Sequence, residues 1–132
     1  MTVENDVLSG IKTLIIEDDC VDEENIRRLL GMADGDYLVT ARTCLQAGVE
    51  VLRSEEFDVV LLDLTLPDSY GMDTVKRLVE EFPETPIIVL SGMNNEDFAQ
   101  SATEHGVKDY LIKGNATGQI VCEAIGQAIQ MA

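Results

Sequence analysis

Four short apolar runs in this chain each give way to a side chain that can do polar chemistry. Leu14-Ile15-Ile16 hands over to Glu17-Asp18-Asp19, Val59-Val60-Leu61-Leu62 to Asp63, Ile87-Ile88-Val89-Leu90 to Ser91-Gly92, and Tyr110-Leu111-Ile112 to Lys113-Gly114. If Glu17, Asp18 and Asp63 meet, their like charges raise one another's pKa and resist ionisation. A divalent cation removes that conflict. Hard carboxylate oxygens suit Mg²⁺, which takes one or two carboxylates, keeps several waters and binds phosphate oxygens. Mn²⁺ accepts the same donors. The expected arrangement has Asp18 and Asp63 as direct ligands, Glu17 acting through water, and the backbone carbonyl of Thr65 as a further ligand. The hydroxyl of Ser91 and the ammonium of Lys113 would then face the phosphate side of the same site.

Taken one at a time, these residues mean less. Glu17-Asp18-Asp19 could simply open a helix, whose amino end favours acids. Asp63 could be a turn former ahead of Leu66-Pro67-Asp68. It is the joint occurrence at the ends of one regular pattern that turns the balance toward chemistry.

That pattern is strand and helix in alternation. The apolar runs, with Tyr37-Leu38-Val39 as the second of five and the third reaching back to Phe57-Asp58, are short and rich in branched residues, as in strands covered on both faces. Between them apolar residues recur at helical spacing: Ile26, Leu29, Leu30 and Ala33; Leu45, Gly48, Val49 and Leu52; Val75, Leu78, Val79 and Phe82; Val121, Ala124, Ile125 and Ala128. The helix between Asn95 and His105 has only Phe98 and Ala102 as clear apolar positions. Asp68 or Ser69 is expected to cap the third helix, Pro83 to close it, Asn94 or Asn95 to cap the fourth, and Gly106 to end it. Five such units predict an α/β fold with a five-stranded parallel sheet and helices on both faces. In such a sheet, ligands bind at the carboxyl ends of the strands, where the polar residues above fall.

Composition sets the outer limits. The 132 residues fit one domain over 11–132 behind an N-terminal extension at 1–10, and 45% hydrophobic content suffices for one core. With 25 acidic against 9 basic residues the net charge is −16, which argues against direct nucleic-acid binding, since that needs Lys and Arg to displace counterions. No apolar run is long enough for a bilayer, and the acidic start, Met1 to Asp6, does not resemble a secretory signal. Cys20, Cys44 and Cys122 are odd in number, far apart and in segments that read as helix; they are expected to be small, buried or half-buried apolar residues in a reducing, cytoplasmic compartment rather than a disulfide or zinc framework. His105 stands without a phosphotransfer motif around it and is read as structural or exposed.

Leu14-Ile15-Ile16-Glu17-Asp18-Asp19, Leu61-Leu62-Asp63 continuing through Leu66-Pro67-Asp68-Ser69-Tyr70-Gly71-Met72, Val89-Leu90-Ser91-Gly92 and Asp109-Tyr110-Leu111-Ile112-Lys113 together resemble the response-regulator receiver family of two-component signalling. The resemblance covers nearly the whole chain. It implies a flavodoxin-like (βα)5 three-layer sandwich and phosphotransfer from a histidine kinase, or a histidine phosphotransfer protein, to Asp63. It places Glu17 and Asp18 as the acidic pair, Ser91 as the switch hydroxyl, Tyr110 as the switch aromatic and Lys113 as the catalytic cation. It also implies a downstream protein effector, no membrane partner, an optional homodimer through the fourth and fifth helices, and a domain that assists only its own phosphorylation and dephosphorylation rather than a true enzyme. Gly114 departs from the pattern, since proline, often in a cis peptide, usually follows the lysine; the lysine itself is expected to keep its place.

Three rival readings fit the same residues less well. A haloacid-dehalogenase-type phosphatase would resemble Asp-x-Asp at the nucleophile, and Thr65 stands where the second acid belongs. A nucleotide or flavin module needs a glycine- or hydroxyl-rich cradle after the first strand, where Glu17-Asp18-Asp19-Cys20 would repel phosphate. A receiver-like interaction module that is never phosphorylated keeps the fold but has no physical need for the acid cluster.

Overall fold

The computed structural model of the protein describes residues 10–32 and 36–131. The expected extension at 1–10 falls outside these except for Gly10, as does the helix-face residue Ala33.

Branched apolar residues build five strands: β1 (Ile11–Ile16), β2 (Tyr37–Arg42), β3 (Val59–Leu62), β4 (Ile87–Ser91) and β5 (Asp109–Ile112). They join into one sheet in the order β2-β1-β3-β4-β5, with every neighbouring pair parallel. Five helices connect and close them: α1 (Cys20–Met32), α2 (Leu45–Ser54), α3 (Met72–Glu81), α4 (Glu96–His105) and α5 (Gly118–Met131). Side chains alternate across a strand, so each inner strand feeds two cores. Leu14 and Ile16, Val60 and Leu62, Ile87 and Val89 face the layer of α2, α3 and α4. Ile15, Val59, Leu61, Ile88 and Leu90 face α1 and α5, packing on Ile26, Leu30, Val121, Ile125 and Ala128. The predicted three-layer architecture is therefore the one observed. Among the described residues, no helix is long and apolar enough to cross a membrane.

Details differ where the local signal was weak. β2 runs on through Thr40, Ala41 and Arg42, polar or small residues that an edge strand tolerates because one side meets solvent. Phe57 and Asp58 precede β3 rather than form it; Phe57 is buried, and Asp58 Oδ2 accepts the Lys12 N–H at 2.8 Å. After Asp63 the chain makes a two-stranded antiparallel hairpin, Thr65–Leu66 against Ser69–Tyr70, which the sequence reading did not anticipate. This hairpin overturns the expected cap of α3. Neither Asp68 nor Ser69 caps it; the N-cap is Gly71, at φ 65°, a left-handed conformation that suits glycine. Asp68 instead reaches the neighbouring helix, accepting the N–H groups of Leu45 and Gln46 at 2.8 and 2.9 Å at the start of α2. The α4 boundaries follow expectation: Asn95 Oδ1 accepts the Phe98 N–H at 3.0 Å, and Gly106 ends the helix at φ 124°. Among the cysteines, Cys20 is exposed rather than buried, Cys44 caps α2 by accepting the Ala47 N–H at 3.4 Å, and Cys122 receives the Tyr37 hydroxyl at 3.0 Å.

Candidate functional site

Backbone pairing carries the acids to one place. The ladder between β1 and its neighbours extends one residue past the strands: Glu17 N donates to Arg42 O at 2.9 Å, and Asp63 N donates to Ile16 O at 2.9 Å. Glu17 and Asp63 are thereby fixed side by side at the carboxyl edge, with 3% and 5% of their surface exposed. Asp18 follows Glu17 and is exposed. One carboxylate oxygen from each of Glu17, Asp18 and Asp63 can be chosen so that all lie within 4.8 Å of one another. An open cleft of about 540 Å³ covers them, lined also by Asp22, Thr65, Gly92 and Lys113.

Lys113 leaves the end of β5 at the start of a single 3-10 turn (Lys113–Asn115). Its Nζ sits 2.7 Å from Glu17 Oε1, 2.8 Å from Asp22 Oδ2 and 3.3 Å from Asp63 Oδ1. Glycine at 114 therefore does not displace the lysine, and no peptide bond among the described residues is cis. Thr65 N–H donates to Asp63 Oδ2 at 3.3 Å, and Asp19 N–H to Glu17 Oε2 at 3.2 Å. Asp19 in turn caps α1, its Oδ1 accepting the N–H groups of Val21 and Asp22 at 2.9 and 3.1 Å.

Electrostatics set these groups in tension. Burial pushes the carboxyls of Glu17 and Asp63 above their ordinary values, against the pull of the Lys113 ammonium. Burial works the other way on Lys113, but hydrogen bonds to Asp22 and Glu17, helped by the charge of Asp63, outweigh it and hold the ammonium protonated well above its ordinary value. Glu17 Oε1 is buried and, among the described residues, has no donor beyond that ammonium. Such a cluster of hard oxygens fits a divalent cation, whose charge would reverse the burial penalty. Glu17, Asp18 and Asp63 are the side chains placed to hold it.

Ser91 and Tyr110 lie to one side and grip the same residue. Ser91, 2% exposed at the end of β4, accepts the Met93 N–H at 3.0 Å with its hydroxyl oxygen. Tyr110 donates its hydroxyl to the Met93 carbonyl at 3.1 Å and leans on Phe98, ring centroids 6.2 Å apart. His105 is exposed, its Nδ1 2.8 Å from the Ser101 carbonyl, and has no part in the cleft. The sequence reading missed Asp22. An acid in the first turn of a helix is ordinary dipole chemistry, and only Lys113, 91 positions later, gives it further meaning.

Comparison with known proteins adds a second line. Residues 13–125 match the family model of the response regulator receiver domain. The chain is 31% identical to the response regulator protein PilR of Pseudomonas aeruginosa over 115 residues, covering 86% of this chain and 25% of that protein. In several similar curated relatives the match spans between 14% and 52% of the relative's length. Among solved structures it is similar to a response regulator receiver domain protein from Clostridium thermocellum, with a TM-score of 0.80, 28% identity, and coverage of 92% of this chain and 95% of that one. The Mn²⁺-bound form of the response regulator Rcp1 shares the fold at a TM-score of 0.72 and 22% identity, over 88% of this chain and 90% of that one.

Proposed function

The chain belongs to the response regulator receiver domain family, and from that premise we propose that Asp63 accepts a phosphoryl group from a histidine kinase or a histidine phosphotransfer protein. The observation that carries this reading is the convergence of Glu17, Asp18, Asp63 and Lys113 in one open cleft. An Asp63 carboxylate oxygen attacks phosphorus in line; the new P–O bond forms as the P–N bond to the donor imidazole breaks, and the imidazole leaves with the electron pair and takes a proton. The step is mainly one of positioning and charge stabilisation. Thr65 N–H holds one oxygen of Asp63, and Lys113 stands ready for a transferred phosphoryl oxygen. Asp18 and Asp63, with Glu17 through water and the Thr65 carbonyl, would hold Mg²⁺ or Mn²⁺, which when bound supplies charge neutralisation.

The acyl phosphate adds a charge of about −1.5 to −2, by analogy with other phosphorylated side chains. Ser91 donates its hydroxyl proton to a phosphoryl oxygen and draws the loop at Met93 inward, and Tyr110, bonded to the same residue, follows. The outward reading of this change falls to α4, β5 and α5, which meet a protein effector in the cytoplasm; a homodimer through α4 and α5 would use the same surface. The domain assists its own phosphorylation and dephosphorylation only.

Acetyl phosphate labelling tests the assignment. Label is expected on the wild-type chain with Mg²⁺, not after chelation, and not on Asp63→Ala. Label that persists on another residue of Asp63→Ala would overturn it. A wild-type chain that takes no label from acetyl phosphate or from kinase would leave the unphosphorylated interaction module.

A further inference from the structure

Lys113 is shared more widely than phosphotransfer requires. An ammonium has three N–H donors, and three carboxylates stand around it: Glu17, Asp22 and Asp63 at 2.7, 2.8 and 3.3 Å. Glu17 and Asp63 belong to the acid cluster. Asp22 does not belong to that cluster. It sits in the first turn of α1, its side chain 36% exposed, with its own N–H fixed by Asp19 Oδ1 at 3.1 Å. Asp22 is nearer to the lysine than the phosphoacceptor is. The two residues of this pair also line a second, smaller pocket of about 80 Å³ with Ile26, Leu29, Leu90 and Ala116, so the pair stands between the acid cleft and the α1–α5 layer.

We propose that Asp22 is a positioning residue that competes with the phosphoryl group for Lys113. It holds the ammonium in the unmodified site and releases it when a phosphoryl oxygen arrives beside Asp63. The inference rests on the phosphoacceptor reading and adds to it a residue that opposes the modified state. Two arguments carry the direction. A phosphoryl group on Asp63 needs an N–H donor from Lys113, and Asp22 occupies one of the three. A carboxylate beside a phosphoryl dianion also repels it. Because Asp22 is partly exposed, the effect is a bias rather than a lock.

Beryllofluoride, a phosphoryl mimic, titrated into the protein with Mg²⁺ and followed by calorimetry, reads this bias without turnover. Asp22→Asn is expected to bind it about fivefold more tightly than wild type. Asp22→Glu, which keeps the carboxylate, is expected to stay close to wild type. Thermal melts of each variant without metal check that α1 is intact. Equal or weaker binding by a folded Asp22→Asn overturns the proposal, and so does equally tightened binding by Asp22→Glu, which would trace the effect to α1 itself. If the wild type binds no beryllofluoride and takes no label, the phosphoacceptor reading has failed and this one falls with it; if the wild type does both, only the role of Asp22 is at stake.

Discussion

Glu17 and Asp63 hold their charges at a disadvantage when no cation is bound, and this has a consequence for stability. Both carboxyls titrate above their ordinary values because burial penalises the ionised form. A raised folded-state pKa means that folding favours the protonated group. The associated stability is fully present below the ordinary carboxyl values of 3.8 and 4.5 and is lost as pH rises through the raised ones. Lys113, also raised, contributes evenly across this window, because its loss begins only above its ordinary 10.5. Metal-free protein is therefore expected to melt at a higher temperature in mild acid than at neutral pH. Asp63→Asn should narrow that difference and melt above wild type at neutral pH without metal, while gaining less from added Mg²⁺. Calorimetric melts with and without chelator measure both; a metal-free Asp63→Asn that melts below wild type at neutral pH would remove the tension described here.

Between residue and molecule, the loop after Asp63 is the element with most to lose. Its hairpin carries Asp68 to the amino end of α2, where two N–H groups meet the carboxylate. Burial raises the Asp68 pKa slightly, but those N–H bonds outweigh it and hold it below its ordinary value. Asp68 is well exposed, so the gain is that of a helix cap rather than a buried charge. Asp68→Ala is expected to cost about 1 kcal/mol, read as a lower denaturant midpoint at unchanged slope. A loss near zero would mean that the hairpin does not secure α2. The same loop is closed on its far side by the Ser69 and Thr74 hydroxyls, 2.6 Å apart. By contrast α4 is held lightly, with Ala102 as its buried apolar residue and Gly106 closing it against Val79.

At the scale of the whole molecule the net charge of −16 opposes compaction everywhere at once. Outside the Lys113 cluster, the described ion pairs, such as Arg53 with Glu81 between α2 and α3, lie at or near the surface and contribute little each. Added monovalent salt, which shortens the Debye length to about 8 Å at physiological strength, is therefore expected to raise the melting temperature of the metal-free chain. A midpoint that falls with salt would show that attractive pairs outweigh the general repulsion.

The sequence alone determined what depends on neighbours along the chain. Strand runs, helix faces, a cap at Asn94 or Asn95 and the Gly106 stop were legible because periodicity and capping act over a few residues, and the order of units then placed Glu17, Asp18, Asp63, Ser91 and Lys113 along one edge of the sheet. Tertiary structure alone decided which of several equivalent polar groups found which partner. Asp68 had an adjacent helix to cap and took the one 23 positions back, because the hairpin turned it away. Asp22 looked like any acid at a helix start until the turn after β5 brought Lys113 to it. Local patterning constrains backbone conformation, whereas the pairing of distant charges is settled only when the chain closes on itself.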